Sequence, residues 1–208
     1  DSGHGKQTAL RLYRSCDVGQ TWEQFGSVTV AGGGEKGIWE PFLMVLPDGR
    51  LACYYADCNE SEYHSQKVVM RITEDGKDWG ETINIVALEK QSLRPGMPVV
   101  AKMNDGRFIM VYEMVDAADP HNGNPVYYRF STDGIHWGDV TDPGTQIVTN
   151  KKEVPNSCPY VAYLPNVGEK GLLLLTSAGG SAHRVFYNDN LGDAKSWRVW
   201  HQPVEINA

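Results

Sequence analysis

Two glutamates at strand ends are the residues of this sequence best placed to do chemistry. Glu40 opens the apolar segment "WEPFLMV", and Glu113 closes the apolar segment "FIMVYE". A buried carboxylate without a partner is costly, so each glutamate either faces solvent or lines a cavity where its charge is used. One neutral carboxylic acid and one ionised carboxylate can protonate a leaving oxygen and attack the carbon or activate water. Such a pair is the minimum needed to hydrolyse a glycosidic bond.

A repeat supplies the elements that must position these acids. The segments "SCDVGQTW", "TEDGKDW" and "STDGIHW" share a Ser or Thr, an Asp, a Gly and a closing Trp. Their aspartates, Asp17, Asp75 and Asp133, follow one another at intervals of 58 residues. A degenerate fourth copy, "NDNLGDAKSW", ends at Trp197. The Asp bonds its own turn and the Trp packs between sheets, so these copies predict a fold rather than chemistry.

A second series of turns interleaves with the first. The segments "LPDGRLACYY" and "MNDGRFIMVY" predict hairpins because Asp-Gly between apolar runs provides the positive φ of a tight turn, and "LPNVGEKGLLLL" is a looser third copy. Four strands in about 58 residues, without helical periodicity, indicate one β-propeller blade. We therefore predict an all-β fold, a β-propeller of four-stranded blades forming one domain over residues 1–208. About four blades' worth of sequence is present, and we expect it to be part of a larger propeller.

The hairpin register brings the two acids to one end of the blades. Glu40 lies eight positions before Asp48, and Glu113 lies eight positions after Asp105. Antiparallel strands rise at similar rates, so both carboxylates lie at the end opposite the turns. We expect them to converge on one rim of the central channel.

The other copies of the repeat do not carry acids at these positions. In register, Glu40 corresponds to Met97 and Cys158, while Glu113 corresponds to Ala56 and roughly to Ser177. The repeat therefore has no structural need for a carboxylate at either place. This contrast favours a catalytic role for both glutamates over a solvated pairing with Arg94.

Five further residues are predicted to contact substrate at the same rim. They are Trp39, Asp57, Gln66, Arg94 and Tyr160. Long polar groups at a channel mouth suit hydroxyl recognition, and aromatic rings stack on sugar faces. Simple packing is the alternative for Trp39 and Tyr160.

Composition excludes several kinds of partner. The 208 residues carry a net charge of −7, which argues against nucleic acid or an anionic membrane surface. The longest apolar run, at residues 172–175, has the size of a strand rather than of a membrane span. The four cysteines have no metal-ligand spacing, and we expect neither a metal nor a cofactor. Cys53 and Cys58 are predicted either to form a short bridge or to be free buried thiols.

The quoted segments also resemble a known family. The Asp/Gly/Trp turns resemble the Asp boxes, or BNR repeats, of the sialidase-type propeller superfamily. Within it, "WEPFLMVLPDGRLACYYAD", "HSQKVV", "RPGMPVVAKMNDGRFIMVYE" and "SCPYVAY" are similar to glycoside hydrolase family 93. This resemblance implies a six-bladed propeller that acts on α-1,5-linked L-arabinan and releases arabinobiose from the non-reducing end with retention of configuration. It also implies secretion, because arabinan is a plant cell-wall polymer.

The resemblance assigns the catalytic residues to Glu40 and Glu113. We assign Glu40 as the general acid/base and Glu113 as the nucleophile. At this repeat length a six-bladed member is much longer than 208 residues. We therefore expect a partial chain, or one completed by another segment or subunit.

Two other functions remain open at the level of sequence. A sialidase of the same superfamily meets the carboxylate of its substrate with three arginines and uses a tyrosine nucleophile, whereas here Arg94 alone is suitably placed. A non-catalytic propeller that binds glycans or a protein would use Glu40 and Glu113 as hydrogen-bond acceptors.

Overall fold

The computed structural model describes residues 7–33, 36–116, 123–179 and 184–201. The described residues form β-strands and connecting turns, without a helix. They therefore also contain no helix that could cross a membrane. The all-β prediction is confirmed for this part of the chain.

The strands form one two-stranded sheet and three four-stranded sheets, each with its strands adjacent in chain order. The first sheet contains β1 (Ala9–Arg14) and β2 (Glu23–Val30). The second contains β3 (Ile38–Val45), β4 (Leu51–Asp57), β5 (Lys67–Thr73) and β6 (Ile83–Val86).

The third sheet contains β7 (Leu93–Lys102), β8 (Phe108–Asp116), β9 (Val126–Ser131) and β10 (Thr145–Gln146). The fourth contains β11 (Tyr160–Leu164), β12 (Leu172–Thr176), β13 (Arg184–Asn188) and β14 (Trp197–His201). Each of these sheets is an antiparallel meander, as the four-stranded repeat predicts. The first strands lie side by side, since β3 contacts β7 and β7 contacts β11.

Asp-Gly turns close the first hairpin of the second and third sheets, as the sequence predicts. Gly49 joins β3 to β4 with a φ of 90°, and Gly106 joins β7 to β8 with a φ of 87°. Only glycine adopts this conformation at no steric cost. Glu40 and Glu113 therefore lie at the opposite end of their hairpins from the turns.

Three apolar cores alternate with the four sheets. Neighbouring residues on one strand point to opposite faces, so Tyr54 and Tyr55 on β4 enter different cores. Tyr54 packs with Met110 of the third sheet, whereas Tyr55 packs with Val28 of the first sheet. The third core lies between the third and fourth sheets. Both faces of the middle sheets are covered, which is why β4 and β8 read as continuous apolar runs.

The Asp/Gly/Trp turns have the structural role that the repeat predicts. Asp133 Oδ1 accepts the backbone N–H groups of Ile135 and His136, each at 2.8 Å, and the Trp137 indole donates to the Gly134 carbonyl at 3.0 Å. In the degenerate fourth copy, the side-chain oxygen of Asn188 takes the place of the Ser or Thr hydroxyl and accepts the backbone N–H groups of Asn190 and Gly192. These bonds hold the connection between the third and fourth strands of each four-stranded sheet.

The prediction that these tryptophans pack between sheets holds for three of the four copies. Trp137 and Trp197 are buried, and Trp79 is partly buried against the core between the first and second sheets. For Trp22 the prediction is wrong, because 64% of its surface is exposed. It lies in the turn between β1 and β2, the two strands of the first sheet.

The cysteines are free, which settles the alternative left open for Cys53 and Cys58. Both of these thiols are buried, whereas Cys16 and Cys158 are exposed. Burial raises the pKa of Cys53 to about 12, so this thiol stays protonated and acts as a small apolar side chain.

One buried hydroxyl connects the second sheet to the turn of the third. Tyr54 donates to the Gly134 carbonyl at 2.6 Å, and its ring meets Trp137 edge-on. We expect Tyr54→Phe to lower the free energy of unfolding by about 0.5–1.5 kcal/mol, because it removes one of the two hydrogen bonds to the buried Gly134 carbonyl and leaves the one from Trp137. Urea unfolding measures this loss. The control, Tyr13→Phe on the exposed edge, should cost much less, and equal losses would contradict the prediction.

Candidate active site

The same backbone distortion occurs in, or directly before, the first strand of each four-stranded sheet. Glu40, Met97 and Cys158 have φ angles of 49°, 56° and 47°. Each precedes a proline. Non-glycine residues seldom adopt positive φ, and a following proline favours extended backbone. The three positions are therefore strained in the same way, and such strain is concentrated at functional sites.

Interruptions in strand pairing accompany the distortion. The register between β3 and β4 shifts between Trp39 and Phe42, and that between β7 and β8 shifts between Gly96 and Val99. Bulges of this kind redirect side chains and are common beside active sites. The correspondence of Glu40 with Met97 and Cys158, predicted from the repeat, is confirmed by their shared backbone conformation.

The two acids flank a single glycine. Glu113 on β8 pairs directly with Gly96 on β7. A Cβ placed on Gly96 would lie 3.7 Å from Oε2 of Glu40. The acids therefore converge across the boundary between the second and third sheets, as the hairpin register predicts.

The carboxylate of Glu40 lies in a crowded environment although the residue has exposed surface. Partial burial raises the pKa of Glu40, and the negative charge of Glu113 adds to this effect. The Met97 backbone N–H and the Arg94 guanidinium act in the opposite direction. The balance favours the protonated acid relative to a free glutamate, which suits a group that must give up a proton.

The carboxylate of Glu113 is held by the fourth sheet. Its Oε2 accepts the Cys158 backbone N–H at 2.9 Å and the Ser157 hydroxyl at 3.1 Å. Both donors come from the segment that leads into β11. Two donors on one oxygen fix the orientation of the carboxyl group.

Gln66 and Arg94 form a connected pair next to Glu40. The Gln66 side-chain oxygen accepts from Arg94 at 3.1 Å and from the Cys58 thiol at 3.4 Å, and its amide nitrogen donates to the Pro95 carbonyl at 2.9 Å. Gln66 is buried, so its amide is used within the protein. Its geometry is that of a residue that positions Arg94. Direct contact of either residue with substrate stays a prediction.

The remaining predicted residues differ in accessibility. Asp57 is buried and accepts the Asn59 backbone N–H at 2.6 Å, which gives it a local role in the loop after β4. Trp39 and Tyr160 keep 41% and 58% of their surfaces exposed. Both rings can therefore be reached by a ligand, and their contact with sugar stays a prediction.

The residues that hold the acids were missed by the sequence reasoning. They are Ser157 and the backbone amides of Met97 and Cys158. The available signal was the proline after each of the three matching positions, in "EP", "MP" and "CP". That signal marks an irregular strand start, but it does not show which carboxylate is bound by the backbone amide of the residue before the proline.

Comparisons with solved structures give close matches along nearly the whole chain. An α-L-arabinanase of Penicillium chrysogenum, solved with arabinobiose, is 31% identical with a TM-score of 0.86. The match covers 96% of this chain and 56% of that one. An α-L-arabinofuranosidase of Fusarium graminearum from family GH93, also solved with arabinobiose, is 32% identical with a TM-score of 0.85. That match covers 97% of this chain and 57% of that one.

The chain belongs to glycoside hydrolase family 93. It spans a little over half the length of these two structures. A NanB sialidase variant of Streptococcus pneumoniae is 15% identical with a TM-score of 0.58, and the match covers 93% of this chain and 28% of that one. This more distant likeness concerns the fold alone. No protein-family model and no curated protein matches the chain.

The raised pKa of Glu40 predicts a pH-dependent gain in stability when its charge is removed. The folded protein binds this proton more readily than the unfolded chain does, so Glu40 makes folding less favourable as pH rises above the ordinary value of 4.5. We expect Glu40→Gln to be more stable than the parent at pH 7. The gain should disappear below about pH 4, where the protonated Glu40 of the parent is neutral, as is the glutamine of the variant.

Denaturant unfolding at a series of pH values measures this difference. Glu169→Gln, in an exposed loop, is the matched control and should show no comparable gain. A Glu40→Gln variant that is less stable than the parent at pH 7 would show that the negative charge is stabilising, contrary to the prediction.

Proposed function

We propose that this chain carries the catalytic pair of an exo-acting α-1,5-L-arabinanase that releases arabinobiose. The observation that supports the proposal is the convergence of Glu40 and Glu113 in a chain that matches arabinan-related hydrolases along almost its full length. Two carboxylates with different environments are what glycoside hydrolysis needs. The substrate is then an arabinan chain, a plant cell-wall polymer, and the protein acts outside the cell.

The proposed fold is a closed six-bladed propeller of which the four observed sheets are a part. The side-by-side first strands and the cores between successive sheets support this arrangement. The remaining blades would come from another segment or subunit. In this arrangement the distorted strand starts line the central channel, and a substrate would approach Glu40 and Glu113 past Trp39 and Tyr160.

We assign Glu40 as the general acid/base and Glu113 as the nucleophile of a retaining mechanism. The environment of Glu40 favours its protonated form, as protonation of the leaving oxygen requires. Glu113 accepts an N–H and an O–H, and carboxylates accept such bonds most strongly when ionised. Glu113 would attack the anomeric carbon, and Glu40 would then deprotonate the water that releases the sugar.

The arrangement of arginines supports an arabinanase over a sialidase. Arg94 lies beside Glu40. Arg129, by contrast, is buried in β9 and donates to the Ile85 carbonyl. Arg11 and Arg14 lie in β1 of the two-stranded sheet, and Arg71 lies in β5, the third strand of the second sheet.

Digestion of linear α-1,5-L-arabinan tests the reaction. We expect arabinobiose from the parent protein, and a loss of more than about 100-fold in rate for Glu40→Gln and for Glu113→Gln, because each removes a group that acts in the transition state. Glu169→Gln should retain the parent rate. Chromatography of the released sugars measures both rate and product length.

Each alternative outcome has a definite meaning. Binding of arabinan without hydrolysis, little changed in the two variants, would indicate a glycan-binding module. Release of sialic acid from a sialoside would indicate a sialidase. Hydrolysis that survives both substitutions would exclude these glutamates as the catalytic pair.

Azide tests the division of roles between the acids. With an aryl arabinobioside whose leaving group needs no protonation, we expect azide to rescue Glu40→Ala and to give a glycosyl azide of retained configuration. Glu113→Ala should give either no product or an azide of inverted configuration, because azide then replaces the nucleophile. NMR of the product identifies the configuration. A retained product from Glu113→Ala would reverse the assignment.

A further inference from the structure

Each of the two acids is held by a backbone amide at the same position of the following sheet. The Met97 N–H faces the Glu40 carboxylate, and the Cys158 N–H donates to Oε2 of Glu113 at 2.9 Å. Both amides belong to the residue with positive φ before a proline. The repeat therefore provides one equivalent donor for each acid.

The residue before that amide differs between the two sheets. In the fourth sheet it is Ser157, whose hydroxyl donates to the same oxygen of Glu113 at 3.1 Å. In the third sheet it is Gly96, where an added Cβ would lie 2.5 Å from the Gln66 side-chain nitrogen. A side chain at Gly96 would thus collide with a buried amide. Glu113 receives a second donor that the corresponding position cannot offer to Glu40.

The backbone of Ser157 is firmly held, so its hydroxyl has a defined position. Its N–H donates to the Asn124 carbonyl at 2.8 Å, and its carbonyl accepts the Ala178 N–H at 2.9 Å. Its φ is 62°, a conformation that glycine adopts without strain. A serine at this position bears a conformational cost, and its hydroxyl is bonded to Glu113.

We propose that Ser157 is a positioning residue that fixes the Glu113 carboxyl group in its working orientation. The proposal rests on the proposed function only in taking Glu113 as a catalytic residue. The hydroxyl does not itself act on substrate. It restricts the rotation of a carboxylate that the Cys158 amide alone would hold by a single bond.

Substitution by glycine separates this role from a purely structural one. Ser157→Gly removes the hydroxyl and at the same time relieves the positive φ, whereas Ser157→Ala removes the hydroxyl and keeps the strain. We expect kcat on arabino-oligosaccharides to fall about 10- to 100-fold in both variants, the size expected for a hydrogen bond to a charged group. KM should change less than about threefold, since substrate binding does not use the hydroxyl. Ser157→Gly should be at least as stable as Ser157→Ala.

A matched control removes the same kind of bond elsewhere. Ser196 donates its hydroxyl to Asp193 Oδ1 at 3.0 Å in the turn before β14. Ser196→Ala should leave kcat unchanged. A Ser157→Gly variant with the kcat of the parent would overturn the proposal, because a merely structural serine is replaced well by glycine at this φ.

A crystal structure of Ser157→Gly provides a readout that does not need activity. We expect the Glu113 carboxyl group to rotate away from its parental position or to occupy two conformers. A single unchanged conformer would overturn the proposal. If the parent protein does not cleave arabinan, the proposed function fails, and the crystallographic comparison still decides the role of Ser157.

Discussion

The site depends on one type of hydrogen bond, in which a backbone N–H of one sheet donates to a glutamate carboxylate of the preceding sheet. The residues that donate, Met97 and Cys158, both take positive φ before a proline. The acids and their donors lie on different sheets, so the spacing between sheets determines the geometry of the site.

That spacing is set by the apolar cores between the sheets. The core between the second and third sheets places Glu40 next to Gly96, and the core between the third and fourth sheets places Glu113 next to Ser157. Protein interiors are closely packed and deform little, so they hold such distances well. A bond such as that from Tyr54 to the Gly134 carbonyl therefore supports the site from a distance, by fixing how two sheets stack.

The repeat produces two similar acid environments, and small departures from it make them chemically different. Glu40 is partly buried beside another carboxylate, with Arg94 as the opposing charge. Glu113 has two hydrogen-bond donors on one oxygen. Gly96 and Ser157, at corresponding positions, account for part of the difference. A hydrolase that needs one acid to give a proton and the other to work as an anion can obtain both from one repeated framework.

The sequence by itself determined the strands, the turns and the pair of acids. Periodic Asp-Gly turns and apolar hairpins are local signals, because turn chemistry and strand alternation are decided within a few residues. Counting from Asp48 and Asp105 was enough to place Glu40 and Glu113 at one end of their hairpins, since antiparallel strands advance equally per residue. Only the tertiary structure decided that Gln66 turns inward to hold Arg94, and that Trp22 is left uncovered. It alone showed which donors meet each carboxylate, because those contacts join residues 44 or more positions apart across sheets whose stacking no local pattern specifies.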